Sequence, residues 1–272
     1  MTSEWLSVPS KDGVAISVEK SGSGPALLLV HGAMVDGTYS WALVRAALGR
    51  HFTTYALDRR GRGKSGDAPG YSLSDEVADL LAVLHAIPEP VTLVAHSYGG
   101  VVTLAALDQL ANVARLILYE PPVFEKPRSL GADKVSDDMQ RALEAGDREQ
   151  VPLIFLRDQI GATPDALAAV RASSMWAKAL EVAHTLPREV RVVNTLRLAD
   201  ESLPNCRIPT TMLLGGASTS EMREATRWVG TSIPGCRTVV LEGQGHSAMT
   251  SAPELFVRAV LEIAGSAAGA AH

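Results

Sequence analysis

The sequence has few aromatic residues, two cysteines and no long apolar run. Phe, Trp and Tyr make up 5% of its 272 residues, and no segment reaches the roughly 18 consecutive apolar residues that a membrane-spanning helix needs. The first residues contain neither a basic segment nor an apolar core, so we expect no secretory signal and a cytoplasmic location. Cys206 and Cys236 are too few for a disulfide framework, and we expect reduced structural thiols.

Charge is also close to balanced. The chain has 25 Lys and Arg against 30 Asp and Glu, a net charge of −5, which is too mild to indicate a nucleic-acid partner. Hydrophobic residues make up 46% and charged residues 20% of the chain. These ordinary values exclude a mostly disordered or fibrous protein. The length fits one large domain with an insertion or two smaller domains.

Short apolar runs, Gly-rich turns and amphipathic stretches alternate along the chain. This alternation is typical of a mostly parallel sheet covered by helices. A turn at residues 10–13 separates the first two runs and predicts a hairpin, so we expect an antiparallel edge. The predicted strands are residues 5–8, 14–19, 26–30, 52–57, 91–95, 116–119, 210–214 and 238–241.

The strand pattern stops after Pro122 and resumes near residue 206. We therefore expect a core of residues 1–122 and 206–265, a helical cap or lid at 123–205, and a flexible tail at 266–272. A last helix is predicted from Ser251, whose hydroxyl would form a capping box with Glu254. Helices predicted within the insertion are residues 135–145, 150–160, 164–173, 177–183 and 188–199.

The most informative segment is residues 91–100, where an apolar strand ends at Ser97 and a helix begins with small residues. A sharp strand-to-helix turn lifts a Ser hydroxyl out of a sheet and aims the helix N-terminus at it. Gly99 supplies the small residue needed two positions after the Ser, and Ala95 stands where Gly is usual before it. The alternative is that Ser97 only caps the helix.

The chain resembles the α/β-hydrolase superfamily along its length up to the tail. Residues 31–34 (HGAM) are similar to the oxyanion loop after the third strand, and residues 58–65 (DRRGRGKS) match the D-x-R-G-x-G-x-S segment after the fourth. Residues 245–246 (GH) are similar to the histidine loop. The resemblance implies an α/β fold with a mostly parallel eight-stranded sheet, helices on both faces and a helical lid, and it says little about the substrate.

This resemblance implies roles for single residues. Ser97 is the expected nucleophile, and His246 is the expected base because a Ser hydroxyl needs a base to take its proton. Backbone N–H groups of Ala33 and Tyr98 are expected to bind the oxyanion.

Other residues of these loops and of the insertion are predicted to line the substrate pocket or to support the loops. Met34, Trp176 and His184 are predicted to lie in the substrate pocket, with a structural or solvent-facing role as the alternative for His184. We expect structural hydrogen bonds from His31 and His96.

The acid of the site is an anomaly. Most superfamily members carry an Asp three residues after the Gly that ends the seventh strand, and here that position is Ser218. A hydroxyl cannot stabilise an imidazolium, so a carboxylate must come from elsewhere. Glu120 is the leading candidate, since certain lipases, dehalogenases and zearalenone-type lactonases take their acid from the sixth strand. Glu221 is the alternative, and a site without a carboxylate partner is the third possibility.

A Ser nucleophile limits the chemistry to acyl groups, because an alkyl ether of Ser would not be hydrolysed. We expect hydrolysis of a small, largely apolar ester or lactone through an acyl-enzyme. A cofactor-free lyase or acyltransferase on the same residues, and a non-catalytic ligand receptor, are the alternatives. Without metal-ligand or P-loop spacing, we expect no metal and no cofactor. The expected partner is a small-molecule substrate, with no nucleic acid and no membrane, and the oligomeric state is left open.

Overall fold

The computed structural model describes residues 3–126, 132–198 and 202–265. Within them, eight strands form one sheet in the order β1-β2-β4-β3-β5-β6-β7-β8. The strands are β1 (Ser3–Pro9), β2 (Ala15–Gly22), β3 (Ala26–Val30), β4 (Thr53–Leu57), β5 (Val91–His96), β6 (Val113–Tyr119), β7 (Thr210–Gly215) and β8 (Arg237–Leu241). The predicted tail, 266–272, lies outside the described residues.

The direction of the strands confirms the predicted sheet. β2 pairs antiparallel with both β1 and β4, and the other neighbouring strands are parallel. β3 shows why the central strands are continuous apolar runs in the sequence. Leu27 and Leu29 belong to the hydrophobic cluster on one face of the sheet, and Leu28 and Val30 belong to the cluster on the other face. A strand covered on both faces must be apolar at every position.

Helices cover both faces of the sheet, as the sequence predicts. α3, α4 and α11 contribute to one cluster, and α1, α2 and α13 contribute to the other. Cys206 and Cys236 are free thiols that pack in the first of these clusters. The helices are α1 (Gly37–Trp41), α2 (Arg45–Leu48), α3 (Leu73–Ala86), α4 (Tyr98–Ala105), α5 (Ala132–Glu144), α6 (Gln150–Ile154), α7 (Pro164–Arg171), α8 (Ser174–Glu181), α9 (Leu186–Thr195), α10 (Ser202–Asn205), α11 (Ser220–Ser232), α12 (Ala248–Ser251) and α13 (Pro253–Gly265).

Two helix predictions need correction. The predicted capping box at Ser251 is wrong: Ser251 ends α12, and its Oγ donates to Gln244 Oε1 at 2.8 Å. α13 begins at Pro253, whose fixed φ suits the first turn of a helix. The single helix predicted at 150–160 is α6 followed by a π-helical turn, Phe155–Gln159.

Helices α5 to α10 lie between β6 and β7, where the sequence predicts an insertion. Helices α5 to α9 share a third hydrophobic cluster with Met34 and Val35, which come from the loop after β3. The insertion therefore packs on a loop at the carboxyl end of the parallel strands, the edge where α/β sheets bind ligands. No helix in the described ranges is both long enough and apolar enough to cross a membrane.

Candidate active site

Ser97 lies in the sharp turn between β5 and α4. Its φ of 52° and ψ of −121° are in a region that residues with a side chain rarely adopt. Such a backbone costs about 1–3 kcal/mol and persists only where the surroundings enforce it. Here Ser97 N donates to Tyr119 O at 2.9 Å and Gly100 N donates to Ser97 O at 2.8 Å. A Cβ on Gly99 would lie 2.6 Å from Val30 O, so this turn requires Gly there.

Glu120 follows β6 directly and is fully buried. Its Oε2 lies 2.6 Å from His246 Nδ1. Its Oε1 accepts hydrogen bonds from Gly215 N at 2.7 Å and from Ser218 Oγ at 2.6 Å. Burial alone would raise the pKa of Glu120, but the hydrogen bond and charge of His246, with the hydrogen bonds from Ser218 and Gly215, hold that pKa below its usual value. Glu120 is therefore an ionised acceptor at neutral pH.

The two candidate carboxylates differ in what they contact. Glu120 contacts His246, whereas Glu221 is exposed in the first turn of α11. Ser218, which occupies the usual position of the acid, donates a hydrogen bond to Glu120 instead. The structure thus brings together the predicted base and the predicted carboxylate, and it adds a contact that the sequence analysis did not foresee.

The hydrogen bonds around His246 define its tautomer. A carboxylate can only accept, so His246 Nδ1 carries a hydrogen, and in the neutral form of the ring the lone pair is on Nε2. His96 Nε2 donates to His246 O at 2.7 Å, and the two rings lie 4.7 Å apart between centroids. The pKa of His96 is held well below its usual range, mainly by burial and then by the charge of His246. His96 is therefore neutral and supports the loop, as predicted.

Tyr119 is a further support that the sequence analysis missed. Its hydroxyl donates to Gly245 O and accepts from Ala248 N, the latter at 3.2 Å. These two bonds hold the loop on both sides of His246. The available signal was its position next to Glu120 at the end of a buried strand.

His31, the other histidine of these loops, also makes the predicted structural bonds. It is fully buried, its Nδ1 donates to Gly32 O at 2.8 Å, and its Nε2 accepts from Arg59 N at 3.1 Å. Its pKa lies well below the usual range, mainly because of burial. His31 therefore joins the loops after β3 and β4 as a neutral side chain.

A cavity of about 250 Å³ opens at these loops and is lined by Ser97, His246, Ala33 and Tyr98. Tyr98 is the first residue of α4, so its N–H belongs to the unpaired donors of a helix N-terminus. The remaining wall is largely apolar and comes mainly from the loop after β6, the insertion, the loop after β7 and the start of α11. Its apolar members are Pro122, Phe124, Phe155, Ile160, Val190, Val193, Ala217 and Met222.

The three predicted pocket residues lie elsewhere, and this part of the prediction is corrected. Met34 has a φ of 67° and is buried in the hydrophobic cluster of the insertion. Trp176 stacks with Arg171, whose guanidinium lies 5.5 Å from the ring centroid. His184 is exposed beside Arg148. The prediction chose aromatic and polar residues of the insertion, but which residues reach the cavity depends on how each helix is rotated.

His184 and Arg188 of the insertion both contact Asp67 in the loop after β4. Arg188 Nη1 lies 3.0 Å from Asp67 Oδ1, and His184 Nε2 lies 3.6 Å from Asp67 Oδ2. Burial would raise the pKa of Asp67, but the hydrogen bonds from His184 and Arg188 and the Arg188 charge lower that pKa to about 2. The contact therefore stabilises the packing of the insertion on the core while Asp67 is ionised.

We expect Asp67→Asn to lower the free energy of unfolding at pH 7 by about 0.5–1 kcal/mol, the size of a partly exposed ion pair. The folded pKa of about 2 lies below the unfolded value of about 3.9. The contribution is therefore complete above the unfolded pKa and is lost as pH falls through about 2. Urea unfolding at pH 7, 4 and 3 measures it. Asp137→Asn, which breaks an exposed pair with Arg191, is the control, and equal destabilisation at all three pH values would contradict the assignment.

A buried charge cluster, which the sequence analysis also missed, lies beside the cavity. Arg59 contacts Glu76 through two hydrogen bonds of 2.6 and 2.7 Å. Both Arg59 and Arg62 contact Glu189 Oε1, which comes from α9 of the insertion. The guanidinium of Arg59 also lies 4.4 Å from the ring centroid of Tyr98. Two arginines and two glutamates thus balance in charge and tie the insertion to the loop after β4.

Two known proteins resemble this chain over most of its length, and a third matches it over about a third. An alpha/beta hydrolase from Sphaerobacter thermophilus, known from its crystal structure, is 32% identical in sequence to this chain. The two structures align with a TM-score of 0.84 over 95% of this chain and 99% of that chain. Pimeloyl-[acyl-carrier protein] methyl ester esterase from Nitrosomonas europaea is 28% identical over 251 residues, 89% of this chain and 97% of that protein. An uncharacterized protein of Mycobacterium tuberculosis is 43% identical over 104 residues, which are 36% of this chain and 29% of that longer protein.

The sequence profile of the alpha/beta hydrolase family matches residues 27–259. This range runs from β3 into α13 and includes every loop that surrounds the cavity. The sheet order and the strand-to-helix turn at Ser97 agree with that match. The chain therefore belongs to the alpha/beta hydrolase family.

Proposed function

We propose that this protein is a serine esterase that hydrolyses small, neutral, largely apolar carboxylic esters or lactones. One observation carries the proposal: His246, oriented by the buried carboxylate of Glu120, lines the same cavity as Ser97 in its strained turn. Similarity to a methyl ester esterase of Nitrosomonas europaea along 89% of the chain supports it.

In the proposed reaction, Ser97 Oγ attacks the ester carbonyl carbon and its proton moves to His246 Nε2. Glu120 stabilises the resulting imidazolium through Nδ1. The tetrahedral intermediate then collapses, and the leaving alcohol takes the proton from His246. A water molecule, activated by the same imidazole, hydrolyses the acyl-enzyme and restores Ser97.

Backbone N–H groups of Ala33 and Tyr98 are proposed to bind the oxyanion. Both residues line the cavity beside Ser97. Because these donors belong to the backbone, they need no rearrangement when charge develops on the carbonyl oxygen. The contact between Tyr98 and the buried Arg59 guanidinium further restrains the start of α4.

The cavity wall supports a neutral, apolar substrate. Its polar members include Glu189 and Glu221, and none of the described residues that line it is Arg or Lys. A substrate carboxylate would therefore lose its hydration without gaining a cationic partner. We propose that the insertion, which supplies Phe155, Val190 and Val193 to this wall, is a lid over the reacting groups.

We expect the purified protein to hydrolyse 4-nitrophenyl esters of unbranched acids from butanoyl to octanoyl. Monoesters of dicarboxylic acids of the same length should have a kcat/KM at least about tenfold lower, because a buried unpaired carboxylate is costly. Initial rates at several substrate concentrations give both values. Faster hydrolysis of the charged esters would contradict the proposed neutral pocket.

Labelling with a fluorophosphonate separates the alternative functions. Labelling together with ester hydrolysis supports the esterase. Labelling without hydrolysis of any ester or lactone would favour a lyase or acyltransferase that uses the same Ser. A folded protein that is not labelled would favour a ligand receptor without turnover.

A further inference from the structure

Two polar side chains interrupt the part of the cavity wall that comes from the insertion. The π-helical turn Phe155–Gln159 and α9 supply this part of the wall. Their apolar lining residues are Phe155, Val190 and Val193, and Gln159 and Glu189 are the exceptions. Ser97 and His246 belong to loops of the sheet, so the two polar groups come from a different part of the fold than the reacting groups do.

Glu189 is a buried carboxylate with one oxygen unused by the protein. The residue is 1% exposed, and its Oε1 contacts both Arg59 and Arg62. Its Oε2 accepts no hydrogen bond from any residue that the structure describes. Folded proteins seldom leave a buried polar atom in this state. Because Glu189 lines the cavity, a ligand that brings an O–H or N–H group can supply the donor.

Gln159 is the second polar residue of this part of the wall. Its Nε2 donates to Asn194 Oδ1 at 3.2 Å, and Asn194 is 2% exposed on the same helix as Glu189. The π-helical turn places Phe155, Gln159 and the following Ile160 together on the cavity wall. Turns of this kind are frequent at functional sites.

We propose that Glu189 and Gln159 recognise a hydroxyl group of the substrate, which makes the preferred substrate a hydroxyl-bearing ester or lactone. The inference rests on the proposed esterase function and narrows its substrate class. The hydroxyl donates its hydrogen to Glu189 Oε2, and the polar side chain of Gln159 lines the same part of the wall. A ketone on the same carbon has a similar size but no hydrogen to donate, so its oxygen is repelled by the carboxylate.

The test compares three series of methyl esters from butanoyl to octanoyl: unsubstituted, hydroxylated on the carbon before the chain end, and carrying a ketone there. A second set places the same groups in the alcohol half of acetate esters. At the chain length that suits the cavity, the hydroxylated ester should have a kcat/KM at least about tenfold above those of the unsubstituted ester and the ketone ester. The reason is that a site built for a hydroxyl rejects analogues without it. Equal values for all three series would overturn the inference and leave the esterase function standing.

Variants assign the preference to single residues. In Glu189→Gln, the new amide can donate to a ketone, so the hydroxyl-to-ketone ratio should fall to about one or below. Gln159→Met should reduce the ratio without abolishing hydrolysis of the unsubstituted ester. Glu144→Gln changes an exposed glutamate of α5 and should leave the ratio unchanged. An unaltered ratio in Glu189→Gln would overturn the inference.

Further measurements deal with a variant that does not fold and with a wild-type protein that hydrolyses no ester. Glu189→Gln removes the charge partner of Arg59 and Arg62. If this variant does not fold, the hydroxyl-to-ketone ratio of kcat/KM in the wild-type protein tests the inference. If the wild type hydrolyses no ester, the proposed function fails. Calorimetric binding of the hydroxylated and ketone esters to Ser97→Ala then tests recognition alone: at least tenfold tighter binding of the hydroxylated ester supports it, and equal binding overturns it.

Discussion

Replacing Ser97 by alanine is expected to lower kcat for ester hydrolysis by at least about 10⁴-fold and to abolish fluorophosphonate labelling. The reason is that the covalent acyl-enzyme can no longer form, whereas the cavity is unchanged. Alanine retains the Cβ of serine, so the strained backbone at φ 52° bears the same side-chain crowding. Steady-state rates with a 4-nitrophenyl ester and gel-based labelling measure the two effects.

The control for this variant is Ser232→Ala. Ser232 donates to a backbone carbonyl within α11, outside the cavity, so its loss should leave both rate and labelling intact. Thermal unfolding of Ser97→Ala should match that of the wild type within a few degrees. Retention of more than a tenth of the wild-type kcat in a folded Ser97→Ala protein would refute the assigned nucleophile.

Replacing Glu120 by glutamine should lower kcat by about 10³- to 10⁴-fold. Glutamine carries no charge to stabilise the imidazolium. It can also donate toward Nδ1 and so favour the tautomer in which Nε2 holds the hydrogen. The paired control is Glu221→Gln. Although Glu221 lines the cavity, the carboxylate that orients His246 is Glu120, so we expect kcat to change by less than about twofold. Near-full turnover in Glu120→Gln with a large loss in Glu221→Gln would reverse the assignment.

Ser218 offers a second test of the same carboxylate. Its Oγ lies 2.6 Å from Glu120 Oε1, so a carboxylate at position 218 reaches the space that Glu120 occupies. We expect Ser218→Asp, added to Glu120→Ala, to raise kcat at least about tenfold above that of Glu120→Ala alone. Alone, Ser218→Asp should lower activity, since two adjacent carboxylates raise the pKa of one of them. Opposite effects in the two backgrounds would show direct coupling, and no rescue would contradict a shared position.

The sheet could be predicted because a strand buried on both faces leaves a local pattern. All five residues of β3 are apolar and buried, and the predicted bounds of this strand match the structure. The turn at Ser97 was predictable for the same reason, because strand, Ser and small residues follow one another within a few positions. Where a pattern was ambiguous, as at Ser251, local reasoning chose the wrong helix start.

The cavity wall could not be predicted in the same way. Trp176 and His184 belong to the insertion and have suitable chemistry, yet they contact other residues and are not part of the cavity wall, whereas Gln159 and Glu189 are. Which residues of a helix face a cavity depends on its rotation, and a π-helical turn shifts that rotation. Neither the turn nor the pairing of Glu189 with Arg59 leaves a signal in neighbouring residues.

The order of residues along the chain is enough to determine the sheet, the motif loops at its carboxyl edge and the absence of an Asp at position 218. These features depend on residues close together in the chain, whose backbone preferences and apolar spacing act locally. Only the tertiary structure decides that Glu120 meets His246, 126 positions away, and that Ser218 donates to the same carboxylate. Such contacts arise when β6, β7 and the histidine loop pack together, and packing between distant segments is not encoded in the pattern of any one of them.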